Sequence, residues 1–212
     1  MAASPKAHSR SNPTKQDGVC QEGLREEYEM SILPSKHLPW QIGNIPGPTM
    51  ALSPDKAPKV FASLAKRAKN PLLIVGRYVV EFTLEGKSLI DFTVEIAKKG
   101  KMPIVATGNS YKGYLERKFP AVYMSLVDIV NRLQDPNFTV NPDRKPPHDL
   151  ILFLGITYNI GSQGLSTLKH FAPHLKTITL CKWYHPNAAF SFPNMDDKAW
   201  RKSLEELIQA LG

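Results

Sequence analysis

"DLILFLGITYNIGSQGLSTLKHF", residues 149–171, decides the fold. Leu150–Leu154 is a continuous apolar run, as in a strand buried on both faces. Gly155 ends it, polar and glycine residues follow, and a helical pattern resumes over 161–171. Strand, glycine turn and helix form the layout of a nucleotide-binding corner, with the helix N-terminus after Gly161 offering N–H groups to a pyrophosphate. The glycines, Gly155, Gly161 and Gly164, do not make the G-x-G-x-x-G spacing.

The same alternation extends outward. "NPLLIVG" (70–76) and "MPIVATGNS" (102–110) read as further buried strands, "KTITLC" (176–181) as a fourth and "NAAFSF" (187–192) as a short extra one. Between them lie helical patterns. One starts near Asp55, after Ser53 and Pro54. A second has Leu89, Ile90, Val94 and Ala97 inward and a basic, glycine-terminated end at Gly100. A third, near 125–134, turns Leu126, Val130 and Leu133 inward. The last has Asn194 as its N-cap and a buried stripe of Trp200, Leu204, Leu207, Ile208 and Leu211. Strands alternating with helices, and apolar throughout, imply a parallel sheet covered on both faces. Right-handed crossovers make it a three-layer, doubly wound, Rossmann-like α/β fold.

Residues 1–33 have no sustained apolar periodicity and read as a flexible tail, too poor in burial to offset chain entropy. Residues 34–54 are proline-rich and read as an extended arm, with Trp40 and Ile42 as apolar anchors that dock on this domain or on another subunit. Residues 55–212 form a single α/β domain. No apolar run reaches the roughly 18 residues that span a bilayer, and the N-terminus lacks the apolar stretch of a secretory signal. A soluble, cytoplasmic protein is expected.

Composition excludes several chemistries. Cys20 and Cys181 are the only cysteines, too few for an iron–sulfur cluster or a cysteine-based zinc site. His170 and His174 are separated by Pro173, so they do not share a helix face; no metal is expected on this chain. The net charge is +8, but its basic groups fall largely at helix ends, where they oppose the helix dipole, or in a connection at Arg144 and Lys145. No nucleic-acid signature accompanies them. There is no P-loop and no G-x-S-x-G elbow.

In a doubly wound sheet, ligands lie at the carboxyl ends of the strands. Those ends are Gly76-Arg77, Thr107-Gly108-Asn109-Ser110, Gly155-Ile156-Thr157-Tyr158 and Cys181-Lys182-Trp183-Tyr184; the first three are the candidate cofactor contacts. Asp149 opens its strand and belongs at the far edge. Glu81 and Glu85 could approach but have no partner for acid–base work, and His185 reads most simply as a surface histidine. No catalytic residue emerges.

"PWQIGNIPGPTMALSP", "NPLLIVG", "MPIVATGNS", the 149–171 stretch, "WYHPNAAFSFPN" and the closing "LEELI" helix, in this order over residues 38–211, resemble the epsilon subunit of the archaeal acetyl-CoA decarbonylase/synthase complex. The resemblance implies a domain like the NAD/FAD-binding domain of deoxyhypusine synthase. It implies a partner, a large alpha subunit carrying nickel–iron–sulfur clusters, in an alpha2epsilon2 carbon monoxide dehydrogenase component of anaerobic archaea. It implies an accessory, non-catalytic role, with stabilisation of that component and electron transfer to FAD as the two activities in view. Trp40, Ile42, Asn44, Pro46 and Pro48 are the expected partner contacts. The alternative is a free-standing oxidoreductase using NAD or FAD.

Overall fold

The structure is a computed structural model, and it describes residues 50–141 and 147–212. Residues 1–33, most of the proline-rich arm including Trp40, Ile42, Asn44, Pro46 and Pro48, and the Arg144/Lys145 pair lie outside the described residues.

Chain order is β1 (Met50–Ala51), α1 (Ala57–Arg67), β2 (Pro71–Val75), α2 (Tyr78–Glu81), a hairpin of β3 (Thr83–Leu84) and β4 (Lys87–Ser88), and α3 (Leu89–Gly100). Then come β5 (Ile104–Ala106), α4 (Ser110–Glu116), β6 (Val122–Tyr123), α5 (Leu126–Arg132), β7 (Leu150–Leu154), α6 (Tyr158–Phe171), β8 (Lys176–Thr179), β9 (Phe190–Ser191) and α7 (Asp197–Leu211). Seven strands form one sheet in the order β1-β9-β8-β7-β2-β5-β6, and every neighbouring pair is parallel. Without β1, the six remaining strands of this sheet run 3-2-1-4-5-6 in their own order of appearance, the doubly wound arrangement. The fold is α/β and Rossmann-like, and its strand order reverses between β2 and β7.

β2 and β7 are buried at every position, which explains their continuous apolar sequences. Alternate residues feed two cores. Leu73, Val75, Leu150, Leu152 and Leu154 face α1, α3 and α7. Leu72, Ile74, Ile151 and Phe153 face α5 and α6. α7 packs along α1 and α3, bringing the end of the chain against its first described helix, and the Trp200 indole donates to the Leu180 carbonyl at 2.7 Å. On the α5–α6 side, β8 and β9 meet a polar loop instead of a helix. The Thr179 hydroxyl bonds that of Ser191, the Ser191 Oγ accepts the His185 N–H, and the Thr177 Oγ1 accepts the Ala189 N–H. The loop after β8 therefore closes this face by hydrogen bonds.

Several local expectations are corrected. α1 starts at Ala57, so Pro58 falls in the first turn, where its missing N–H costs nothing. In α3 the buried stripe is Leu89, Ile90, Phe92, Thr93, Ile96 and Ala97, with Val94 only half-buried. Gly100 is its last helical residue, and Lys101 takes the left-handed conformation at φ 50° instead. α6 begins at Tyr158, so Gly161 lies inside it, its N–H already bonded to the Thr157 carbonyl at 2.8 Å. The cap of α7 is Asp196, which accepts from the Ala199 N–H at 2.7 Å. Asn194 instead accepts the Tyr184 N–H at 2.7 Å, pinning the loop after β8. α2, the β3–β4 hairpin, α4 and β6 carry no periodicity long enough to read.

Candidate functional site

All the cofactor contacts expected from sequence lie at one edge of the sheet, following β2, β5 and β7. Gly76, Thr107, Ser110, Gly155 and Ile156 are buried, Thr157 is half-buried, and Arg77, Gly108, Asn109 and Tyr158 are exposed.

Where the strand order reverses, the turns after β2 and β7 lie directly on each other. A methyl group built on Gly76 would stand 2.4 Å from the Gly155 carbonyl oxygen and 2.4 Å from the Ile156 Cα. Gly155 itself adopts φ 69°, and a methyl group there would meet the Val79 Cγ1 at 2.6 Å. Backbone bonds stitch the contact: the Gly76 N–H donates to the Leu154 carbonyl and the Tyr78 N–H to the Gly155 carbonyl, both at 3.0 Å. Burial pushes the Cys181 thiol pKa up to about 11. Thiolate chemistry is therefore out of reach near neutral pH.

The end of β5 differs. The Thr107 hydroxyl is turned back to the Val75 carbonyl at 2.9 Å, and the Ser110 hydroxyl to the Thr107 carbonyl at 2.8 Å. Gly108, at φ 60°, has open space around it. Beside it is an open cavity of about 230 Å³, lined by Asn109, Lys112, Gly113 and Arg117 with Val80, Ser88, Ile90 and Glu116. Of the expected contacts, Asn109 alone reaches it.

Three ionisable groups near this edge, Glu81, Glu85 and His185, are engaged or buried, whereas Lys112 and Glu116 are exposed at the cavity. Glu81 pairs with Arg77 at 2.8 Å, and Glu85 with Arg201; both glutamates have the partners that sequence reasoning missed. His185 is not a surface residue. It is 2% exposed, its ring stacks on Tyr158 at 4.5 Å, and its Nδ1 is buried without a partner. Burial lowers its pKa to about 4, so it is neutral at pH 7. Asp149 does lie at the opposite edge, where its carboxylate accepts the N–H groups of Lys69 and Asn70 at 2.8 and 3.0 Å. Among the described residues no cluster of three His, Cys, Asp or Glu is placed to hold a metal, and no helix is long and apolar enough to cross a membrane.

Phe82 and Trp183 are exposed, and the Lys182 ammonium lies 5.7 Å from the first ring centroid and 5.2 Å from the second. The spacing pattern of a known family, "CO dehydrogenase beta subunit/acetyl-CoA synthase epsilon subunit", matches residues 32–208. The chain belongs to this family. Its relatives include three proteins named as epsilon subunits of the acetyl-CoA decarbonylase/synthase complex. That of Methanothermobacter thermautotrophicus is 38% identical over 84% of this chain and 98% of its own length. That of Methanothrix soehngenii is 33% identical over 82% and 91%. That named epsilon 1 from Archaeoglobus fulgidus is 37% identical over 73% and 82%. The matched span includes the stretch around Trp40 as well as the whole sheet.

Proposed function

We propose that this chain is a non-catalytic accessory subunit of an acetyl-CoA decarbonylase/synthase complex, working in the cytoplasm. In this role it stabilises a component built with a large alpha subunit that carries nickel–iron–sulfur clusters, in an alpha2epsilon2 arrangement. The observation that carries it is the family match, which covers residues 32–208 and joins the chain to proteins named as subunits of that complex. The state of the ligand edge supports it. Glu81 and Glu85 are ion-paired and His185 is buried and neutral, so none of the three is free for acid–base work. Trp40, Ile42, Asn44, Pro46 and Pro48 are the contacts assigned to the partner, because proline-rich backbone is pre-ordered for docking.

The test is affinity purification of the tagged chain from native anaerobic extract. A large chain bearing nickel and iron should co-purify, and CO-oxidising activity should follow that chain and be missing from the tagged protein alone. Recovery of the tagged chain without any metal-bearing partner sinks the assignment.

A second reading, electron transfer to FAD within the complex, is favoured by the 3-2-1-4-5-6 strand order, which elsewhere serves dinucleotides. It also covers the free-standing NAD or FAD oxidoreductase. It requires CO-dependent reduction of FAD by the complex to fall when this chain is removed and to return when it is added back.

A further inference from the structure

We infer that the crevice between β2 and β7 is a sealed seam, in which the chain's own groups fill the positions that a dinucleotide pyrophosphate needs. Pyrophosphate binding at a strand-order reversal has two requirements. Glycines must leave a gap for the phosphates, and N–H groups at a helix N-terminus must be free to point into it. Neither requirement is met here.

The gap is absent. Gly76 lies so close to the next turn that a single methyl group would stand 2.4 Å from its backbone. Non-bonded carbon atoms need about 3.5–4.0 Å, so no phosphate enters between the two turns. The donors at the start of the helix are spent as well. The Tyr78 N–H, first of α2, goes to the Gly155 carbonyl, the Val79 N–H to the Gly76 carbonyl and the Val80 N–H to the Arg77 carbonyl, while the Gly76 N–H goes to the Leu154 carbonyl. At the adjacent strand, the Thr107 N–H and hydroxyl both go to the Val75 carbonyl at 2.9 Å.

The helix that follows β2 has also lost the form the site requires. α2 is four residues long, and the full-length α3 begins only at Leu89, beyond the hairpin. A single turn sums few peptide dipoles, so little positive potential is aimed at the seam. Gly76 and Gly155 are thus accounted for by contact of the chain with itself: one permits close approach, the other supplies a positive φ. The residues present do not fit a dinucleotide at this place, and any flavin that meets the complex lies elsewhere.

The inference does not depend on the partner assignment, and its test separates the two. The complete, isotope-labelled chain is titrated with ADP, NAD and FAD and followed by backbone amide resonances. The expected result is no saturable shift at Gly76, Tyr78, Gly155 or Ile156 at millimolar ligand. Saturable shifts confined to Asn109, Lys112 and Arg117 also uphold the seam, since they put the ligand in the cavity beside β5. Saturable shifts at the four seam amides overturn it, as does a structure of the FAD-treated complex with a pyrophosphate against Gly76 and Gly155.

Discussion

Gly76 and Gly108 terminate adjacent strands at the same edge of one sheet, yet their surroundings are opposite. Gly76 has backbone at 2.4 Å from where a side chain would begin, whereas Gly108 has nothing within 4 Å. Gly76 is there because two turns interlock; Gly108 because the backbone takes φ 60° on leaving β5. From sequence the two look alike, as glycines after apolar runs. Their positions across the sheet separate them: β2 is flanked at its end by β7, while β6, beyond β5, is a two-residue strand that leaves room.

Substitution should expose this difference directly. Gly76→Ala faces backbone atoms that cannot rotate away, so it should lose at least about 3 kcal/mol in urea unfolding. A loss below about 1 kcal/mol would mean that the turns can part, and the seam with them. Gly155→Ala combines a left-handed backbone with contact against the Val79 side chain and backbone N, and should lose about 2–3 kcal/mol.

The loop beside the seam adds a pH dependence. His185 has its pKa lowered by burial from 6.5 to about 4, so between these values the unfolded chain binds the extra proton. Stability should be full above pH 6.5 and fall as pH drops, by up to about 1.4 kcal/mol per unit from this residue, until the folded state protonates near pH 4. His185→Gln should flatten that part of the curve; an unchanged slope would show that the ring is solvated. Smallest of the four, Gly108→Ala has space for its methyl group and should cost about 1 kcal/mol, for the backbone alone. If it costs as much as Gly76→Ala, the contrast between the two strand ends is lost.

What was legible in the sequence follows the same division. β2 and β7 were plain because five consecutive apolar residues in a compact chain have few other places to go. α7 was plain because its stripe spans four turns, and every stripe residue named is buried. α2, β3, β4 and β6 are two to four residues long and owe their form to their neighbours. Gly161 was read as the start of its helix, yet Tyr158–Phe171 carries it inside, with its Cα facing the Ile156 and His185 side chains. His185 was read as exposed because proline follows it, while the hydrogen bonds of Ser191 and Asn194 fold the loop inward. The edge on which the candidate contacts lie was legible from strand direction alone. Its closure was not, because it depends on the register that sets Val75 against Leu154, residues far apart in the chain.

The packing of α7 along α1 and α3 has a consequence for how this protein is made. Phe61, Leu73 and Leu204 share one core, so the first described helix has no complete place to rest until Asp197–Leu211 arrives. A chain growing from its N-terminus must therefore carry an uncovered apolar face while all the strands between them are made. Ribosome-bound chains stopped before Asp197 should accordingly be sensitive to protease along α1 and recruit chaperones, and extension through α7 should end both at once.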